Sequence, residues 1–496
     1  MRTPAVAFIV IGWGVAGAQT LYDEPFRLQY HFSPAATWTN DPNGLVWYKG
    51  EYHLFFQNNP FGNKWGHMSW GHAVSPDLLH WKELPVAIPE ENGIMIFSGS
   101  AVVDWNNSSG LCRNKDSSDQ SCLVAVYTGH TDRLQTQNVA FSNDRGRTWK
   151  KYSRNPVIDL HMKDFRDPKV FWHEPTRKWV MAVSLPNEHK VRLFAAPDLL
   201  HWSALSDFGP AGATGGQWEC PDLFPLGNSW VMVVNINPGG VAGGSGAQYF
   251  IGRFDGRQFR NEHPPTTLWA DYGKDFYAAV TYFNGPRGDH RKIFQGWFSN
   301  WEYANDEPTS PQRGAMAFPR ELTLAKDRLT QAPIREIAGL RTEPFQAAGI
   351  GIESANERIS SRNFRGNEAE IEVEFYPAGA AEFGLLIHKG ASEQTIVGVK
   401  RSGVLFVDRT RSGDVKFNPK FAGVSSGPIQ LKEIVSLHIL VDRSSVEVFG
   451  NGGEVVLSER VFPKPTSDRV ELYSTGGEAR VKSLRMWKLK STWNSR

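Results

Sequence analysis

Apolar and polar residues alternate along most of the chain with the two-residue period of β-strands. Short runs of Val, Ile, Phe, Trp and Tyr are separated by turns rich in Gly, Pro, Asn and Asp, and helical periodicity is nearly absent. A half-buried strand hides every second side chain, and β-branched and aromatic residues are enriched in strands. The pattern therefore predicts an all-β protein.

Three segments repeat one arrangement of an acidic residue, a nearby proline, a strand, a tight turn and a second strand. They begin at Asp41, Asp167 and Glu219, and two looser copies begin at Ser98 and Asp275. The five starts are 52 to 69 residues apart. Repeats of about 40–50 residues with four strands each are typical of propeller blades. Five units predict a five-bladed β-propeller, whereas a solenoid, the alternative, usually has shorter and more uniform repeats.

A propeller has a chemical consequence for the acidic starts. The innermost strands of all blades begin around one end of the central channel. Asp41, Asp167 and Glu219 hold equivalent positions in three blades. We therefore expect these three acids to converge on one pocket.

The pattern changes after about residue 340. The Trp-rich motifs stop, alternating segments follow at 369–375 and 435–441, and a turn lies at 451–453. Short alternating strands with tight turns predict a β-sandwich. The predicted organisation is a propeller domain over residues 25–340 and a sandwich domain over residues 345–496. The sandwich either binds sugar polymer or braces the propeller, and we favour bracing.

The N-terminus has the features of a secretory signal peptide. Arg2 precedes an apolar run over residues 5–15, too short to span a bilayer, and small residues of a cleavage site end at Ala18. We predict that residues 1–18 are a signal peptide and that the mature protein is secreted or periplasmic. The formal net charge is +2 with both signs interspersed, so neither nucleic acid nor a membrane is an expected partner.

The chain has three cysteines. Cys112 and Cys122 flank a short polar loop, and in an oxidising compartment they either pair or remain free thiols. Cys220 is adjacent to Glu219 and is either a small buried residue or a part of that acid's environment. No Cys/His spacing in the sequence resembles a zinc site.

Glycoside hydrolysis typically needs two carboxyl groups on either side of the scissile bond. One is the nucleophile, and the other must carry a proton, which requires a pKa raised by burial or by neighbouring negative charge. An Asp-Pro pair alone usually marks a turn. The presence of three acids at matching repeat positions favours a catalytic site over three separate turns. Because Arg166 is adjacent to Asp167, we expect its positive charge to keep the Asp167 carboxylate ionised.

Four blocks of the sequence resemble the signature blocks of glycoside hydrolase family 32. They lie at residues 38–44, 97–100, 165–168 and 218–222. That family contains invertases, inulinases and levanases. The stretches 52–57, 271–279 and 299–306 are similar to those of bacterial levanases and exo-inulinases. The resemblance extends from about residue 26 to the end of the chain.

The resemblance implies a role for each residue of the site. Asp41 is the nucleophile that attacks the anomeric C2 of a fructosyl unit, and Glu219 is the acid/base. Asp167 binds fructose hydroxyls and stabilises the transition state, while Arg166 orients the acids. The other residues implied to shape the fructose subsite are Asn40, Gln57, Trp65, Phe97, Ser98 and Trp301.

The implied activity is exo-acting hydrolysis of terminal fructosyl linkages in fructans (levan or inulin) and in sucrose, with retention by double displacement. It implies no metal and no organic cofactor. The alternative from another class is a non-catalytic fructan-binding protein, because propellers and sandwiches both serve as lectins. An invertase, an endo-fructanase and a fructosyltransferase are the alternatives within the family. These motifs leave the preferred fructan and the oligomeric state open.

Overall fold

A computed structural model describes residues 21–113, 119–262 and 265–493. The signal peptide predicted at residues 1–18 lies outside the described residues. Strands dominate, and the α-helix α1 (Ile352–Ser361) is a short exception. Within the described ranges, no helix is long and apolar enough to cross a membrane.

The first two sheets of the fold are antiparallel and contain four successive strands each. Large aromatic and aliphatic residues fill the space between them. The strands of blade 1 are β1 (Thr37–Tyr48), β2 (Glu51–Asn59), β3 (Ser69–Ser75) and β4 (Lys82–Ile88), and those of blade 2 are β5 (Met95–Asp104), β6 (Cys122–His130), β7 (Gln135–Ser142) and β8 (Lys150–Lys151).

Three further sheets follow along the chain as blades 3, 4 and 5. Short 3-10 helices lie in their connections, at Glu174–Thr176, Pro186–Glu188, Ala304–Asp306 and Arg335–Leu340. The strands are β9 (Arg166–His173), β10 (Lys178–Leu185), β11 (Lys190–Ala196), β12 (Ser203–Phe208), β13 (Gln217–Leu226), β14 (Ser229–Asn237), β15 (Gly246–Phe254), β16 (Phe259–Asn261), β17 (Leu268–Trp269), β18 (Tyr277–Thr281), β19 (Lys292–Trp297), β21 (Arg320–Ala325) and β22 (Arg328–Pro333). The short strand β20 (Gln312–Arg313) lies between β19 and β21 in the chain but belongs to the sheet of blade 1.

The five sheets close into a ring. The innermost strands contact one another in the order β1, β5, β9, β13, β18 and back to β1. Strand β20 leaves the last repeat and pairs with β1 in parallel, with Thr37 opposite Gln312, so it joins the end of the ring to its beginning. The predicted five-bladed β-propeller is confirmed, and each predicted repeat start lies in or just before an innermost strand.

Every innermost strand has a β-bulge near its start. The irregularities fall at residues 40–41, 98, 167–168, 220–221 and 278–279, where the pairing with the next strand shifts register. A bulge breaks the alternation of side chains and re-aims the bulged residue. Asp167 and Cys220 adopt left-handed backbone conformations there, with φ of 67° and 43°. The bulges therefore direct polar side chains from several blades to one end of the channel.

The predicted β-sandwich follows the propeller and is also confirmed. Two antiparallel sheets share one core of Val, Ile, Leu and Phe side chains, and α1 packs against the edge formed by β23, β32 and β33. The strands are β23 (Arg341–Gly351), β24 (Ala369–Tyr376), β25 (Glu382–Lys389), β26 (Gln394–Lys400), β27 (Val404–Arg411), β28 (Val424–Pro428), β29 (Val435–Asp442), β30 (Ser445–Gly450), β31 (Val455–Arg460), β32 (Arg469–Thr475) and β33 (Arg480–Leu489).

Buried ion pairs connect the sandwich to the fifth blade. Arg409 of β27 donates to Asp275 at 2.5 Å, and Arg320 of β21 donates to Asp271 at 2.9 Å and to Glu447 of β30 at 3.3 Å. All five side chains are buried. The sandwich thus holds the segment that leads into β18, and β18 contributes to the pocket of acids.

Candidate active site

Asp41 is buried at the bulge of β1 and accepts hydrogen bonds on both carboxylate oxygens. Asn40 donates to Oδ1 at 2.9 Å, and Ser98 of blade 2 donates to Oδ2 at 2.6 Å. Burial raises the pKa of Asp41 by more than these two hydrogen bonds lower it, and the negative charge of Glu219 adds to the rise. The carboxylate is oriented on both sides, which suits a nucleophile.

Glu219 lies at the bulge of β13, and neighbouring blades hold its two oxygens. Arg166 Nε of blade 3 donates to Oε1 at 3.1 Å, and the Tyr277 hydroxyl of blade 5 donates to Oε2. Burial and the charge of Glu219 raise the pKa of Tyr277 well above its usual value, so this hydroxyl keeps its proton and donates. Glu219 is therefore fixed between a cation and a neutral donor.

Asp167 is buried between the other two acids. Its Oδ2 accepts the backbone N–H of Cys220 at 2.9 Å, and its own N–H donates to Thr128 at 3.0 Å. Burial raises the pKa of Asp167, and the charges of Glu219 and Asp41 add to the rise, although Arg166 opposes them. Cys220, the neighbour of Glu219 in sequence, contacts Asp167 through its backbone N–H and Asp41 through its thiol, so the three acids lie in one pocket.

Arg166 lowers the pKa of Asp167, in the expected direction, but its positive charge is shared with other acids. The guanidinium of Arg166 hydrogen-bonds Glu219 and, at 3.0 Å, Asp164. Burial consequently raises the pKa of Asp167 by more than Arg166 lowers it.

Cys220 follows Glu219 in the sequence, but its thiol contacts the carboxylate of Asp41. Its Sγ lies 3.5 Å from Asp41 Oδ2. Burial, with the charges of the three acids, raises the pKa of the thiol well above its usual range, so it remains a weak donor to the carboxylate. Cys112 and Cys122 are joined by a disulfide.

Asn40 and Gln57 lie beside the nucleophile. Asn40 is fixed by Trp38, whose Nε1 donates to its side-chain oxygen at 2.7 Å. Gln57 of β2 stands opposite the bulge that carries Asp41. Gln57 is buried, and its amide nitrogen has no hydrogen-bond partner among the described residues. A buried amide donor without a partner is costly, and a substrate hydroxyl or oxygen would satisfy it. Trp301 stacks on Trp38 with ring centroids 5.9 Å apart.

Aromatic side chains extend from Ser98 towards solvent. Phe97 is half-buried and stacks on His130, with ring centroids 4.0 Å apart. Trp65 meets Phe97 edge-on at 6.2 Å and is 41 % exposed. An exposed ring beside a buried polar pocket can pack against the C–H face of a sugar. These two side chains form one rim of the pocket.

Polar side chains form a closed ring of hydrogen bonds beside Glu219. Arg166 donates to Gln217 at 2.7 Å, Gln217 to Asn187 at 2.8 Å, and Asn187 to Asp164 at 2.9 Å; Arg166 donates to Asp164 as well. The ring holds the guanidinium against the acid. Asp164, Asn187 and Gln217 belong to loops and strand ends that carry no repeat signal, so sequence reasoning missed them. Tyr277 was missed too, although it lies two residues after the fifth repeat start.

One group in the described part of the chain has the spacing of metal ligands, and it lies in the sandwich. It comprises Glu370, Glu372 and His438. Arg341 donates to both oxygens of Glu370, at 2.7 and 2.8 Å, and His438 contacts the same carboxylate at 2.8 Å. The guanidinium already neutralises the site, which makes it a structural ion cluster.

A buried nucleophile-like carboxylate and a second carboxyl group beside a cation, at one end of a five-bladed propeller, define the class as a glycoside hydrolase. The chain belongs to glycosyl hydrolases family 32. The model of that family's N-terminal domain matches residues 31–333, and the model of its C-terminal region matches residues 336–488.

Relatives in this family resemble the chain over nearly its whole length. A levanase from Bacillus subtilis is 47% identical over 500 residues, which cover 97% of this chain and 73% of the relative. An extracellular exo-inulinase from Aspergillus awamori is 41% identical over 524 residues, which cover 95% of this chain and 96% of the relative.

Solved structures show the same fold. The crystal structure of exo-inulinase from Aspergillus awamori superposes with a TM-score of 0.87 at 38% identity and covers 95% of this chain and 100% of that one. A fructofuranosidase from Schwanniomyces occidentalis, complexed with fructose, has a TM-score of 0.84 at 33% identity, with 95% and 100% covered.

Proposed function

We propose that the protein is an exo-acting β-fructosidase that hydrolyses terminal fructosyl linkages of levan or inulin, and of sucrose, with retention. The observation that carries the proposal is the pairing of two differently held carboxyl groups. Asp41 accepts two short hydrogen bonds on opposite oxygens, whereas Glu219 is held by a cation and a phenol. Retaining glycosidases need one carboxylate to attack and another to exchange a proton.

In the first step, a carboxylate oxygen of Asp41 attacks C2 of the terminal fructosyl unit. The bond between C2 and the linking oxygen breaks, and Glu219 gives its proton to that oxygen, so the remaining sugar leaves as an alcohol. The hydrogen bonds from Asn40 and Ser98 keep the attacking carboxylate from rotating. Holding the reacting groups in place lowers the entropic part of the barrier.

In the second step, water attacks C2 of the fructosyl ester. Glu219, now ionised, takes the proton from water, and the C2–O bond to Asp41 breaks to release fructose. Arg166 Nε, 3.1 Å from Glu219 Oε1, holds this carboxyl group in place during both halves of the cycle. The charges of Glu219, Asp167 and Asp164 raise the pKa of Arg166 although burial lowers it, so the guanidinium stays charged throughout.

Asp167 takes no part in bond making. Its free carboxyl oxygen and its position between the other acids suit hydrogen bonding to fructose hydroxyls. The unpaired amide of Gln57 and the indole of Trp65 complete this subsite, with Phe97 and Trp301 as walls. A negative group close to C2 also stabilises the oxocarbenium-like transition state.

We also propose a catalytic domain at residues 25–340, a bracing sandwich at residues 345–496, and a secreted or periplasmic location after removal of residues 1–18. The buried ion pairs of Asp271 and Asp275 support the bracing role. Relatives from Aspergillus awamori and Aspergillus niger are extracellular exo-inulinases. N-terminal sequencing of secreted protein tests the cleavage after Ala18.

A timed analysis of products from levan, inulin and sucrose tests the activity. We expect fructose alone from the earliest time point, and the ratio of rates on the two polymers then gives the preferred linkage. Early oligosaccharides would instead indicate an endo-fructanase or a fructosyltransferase. Binding of all three substrates without any product would indicate a fructan-binding protein and refute the proposal.

A further inference from the structure

The end of the propeller channel opposite to the three acids holds a cavity of about 370 Å³. It lies between the ends of the innermost strands of blades 3, 4 and 5. Binding sites for small molecules usually have volumes of about 300–1,000 Å³ and combine aromatic walls with a few polar groups. Phe171 lies four residues after Asp167 along β9, so about 13 Å separates these two residues, and Lys169 between them marks the near edge of the cavity. Its walls include Trp172, Asp222, Phe224, Trp230 and Lys292.

Asp222 forms a polar wall of the cavity and is fully buried. Its Oδ2 accepts the backbone N–H and the hydroxyl of Thr281, at 2.6 and 2.8 Å, and lies 3.1 Å from Lys169 Nζ. Its Oδ1 has no hydrogen-bond partner among the described residues. A buried carboxylate oxygen without a donor carries a desolvation cost that a donor in the cavity would remove.

Lys292 supplies a second under-used polar group. Its ammonium lies 5.6 Å from the centre of the Phe224 ring, and no described carboxylate lies within 4.0 Å of it. Burial lowers the pKa of Lys292 to about 8, and the charge of Asp222 only partly opposes this. A hydrogen-bond acceptor inside the cavity would stabilise the Lys292 ammonium.

Aromatic rings form the remaining walls. Trp172 is half-buried, and its Nε1 already donates to Glu174 at 2.5 Å, so only its apolar ring surface is available to a ligand. Trp230 is half-buried and packs against Phe171 at 5.5 Å. Such rings favour the C–H faces of a ligand over its hydroxyl groups.

We propose that this cavity is a second binding site, for a neutral polyhydroxylated molecule the size of one sugar unit. A hydroxyl group donates to Asp222 Oδ1 and also accepts from Lys292, so one ligand class satisfies both. An inorganic anion accepts from Lys292 but is repelled by Asp222 and leaves Oδ1 unpaired. A purely apolar ligand satisfies neither group. The site is separate from the acids and binds without chemical change.

Fluorine NMR of protein labelled with 5-fluorotryptophan tests the proposal, with fructose as the probe. The Trp172 and Trp65 resonances are assigned from Trp172→Phe and Trp65→Phe variants. We expect fructose to shift both resonances in the wild-type protein with independent saturation curves. Lys292→Met should abolish the shift of the Trp172 resonance and leave that of Trp65 intact. Lys178→Met, which alters an exposed lysine on the same face, is the matched control and should keep both shifts.

The outcomes separate binding at the cavity from a folding defect and from anion binding. Lys292→Met should retain the wild-type kcat and KM on sucrose, since the cavity lies across the channel from the acids. A Trp172 resonance that stays still while fructose saturates Trp65 overturns the proposal. So does a shift that survives in Lys292→Met, or one that inorganic phosphate produces and fructose does not.

Discussion

Ser98 Oγ lies 2.6 Å from Asp41 Oδ2, and the two residues occupy the bulges of adjacent blades. This length is typical of a hydroxyl that donates to a charged carboxylate. The contact joins blade 1 to blade 2 at the nucleophile. It also lowers the pKa of Asp41, against the larger effect of burial.

Removal of this hydroxyl by Ser98→Ala should impair the nucleophile. A hydrogen bond to a charged group contributes about 1.5–3 kcal/mol, so kcat/KM should fall roughly 10- to 100-fold. Asp41 attacks only when ionised, and loss of a donor raises its pKa further. The acidic limb of the pH profile of kcat/KM should therefore move to higher pH. Ser100 lies on the same strand as Ser98 and accepts the Val170 N–H of β9. Ser100→Ala removes that contact and should leave the acidic limb in place.

Glu219→Ala should slow hydrolysis of sucrose by about 10²–10⁴-fold, the usual contribution of a general acid. A fructosyl fluoride has a leaving group that needs no proton, so formation of the fructosyl ester from it should be nearly unaffected. Burst kinetics with both substrates measure this difference. An equal loss on both would contradict the role of Glu219 as acid. Glu188→Ala, which removes an exposed carboxylate in blade 3, serves as the control.

Tyr277→Phe removes the phenol that donates to Glu219 and leaves the ring in the core. We expect kcat on sucrose to fall about 10-fold, because one hydrogen bond of roughly 1–2 kcal/mol no longer orients the acid. The KM should change little, and the fructosyl fluoride should be cleaved at nearly the wild-type rate. A uniform loss on both substrates, with a lowered thermal midpoint, would reduce Tyr277 to a packing residue.

Arg409→Ala should destabilise the whole molecule. The change leaves Asp275 and Glu459 buried without their cation, which typically costs about 3–5 kcal/mol. Denaturant unfolding followed by tryptophan fluorescence should show one transition at a lower midpoint, because both domains share the pair. Arg411→Ala, two residues along the same strand and exposed, should have no measurable effect. A separate early transition of the sandwich alone would contradict the bracing role.

His31 makes stability depend on pH. Its Nδ1 lies 2.8 Å from Asp442, and its Nε2 lies 3.4 Å from Glu447. Burial lowers the pKa of His31, but these two carboxylates outweigh it, so that pKa is raised. The folded protein therefore holds this proton more tightly than the unfolded chain. The resulting stability is complete below about pH 6.5 and is lost as the pH rises through the folded-state pKa.

The His31→Asn variant should flatten the decline of the unfolding free energy above about pH 6.5, measured by denaturant titration at several pH values. His201→Asn removes a similar contact, 2.7 Å from Asp198, on an exposed surface, and should leave the decline unchanged. A decline as steep in His31→Asn as in the wild type would assign it to other groups.

The sequence by itself determined the number of blades, the sandwich and the clustering of Asp41, Asp167 and Glu219. Each of these follows from the order of the residues, because strand periodicity and repeat spacing are properties of the sequence.

Only the tertiary structure decided the partners of the acids. Arg166 pairs with Glu219 in the next blade rather than with its neighbour Asp167, and the Cys220 thiol of blade 4 reaches Asp41 of blade 1. Tyr277 reaches Glu219 from the fifth blade. These contacts depend on the left-handed backbone conformations at the bulges and on burial by distant strands. Neither is encoded by the residues next to each acid, because pKa and hydrogen bonding respond to whatever surrounds a side chain in space.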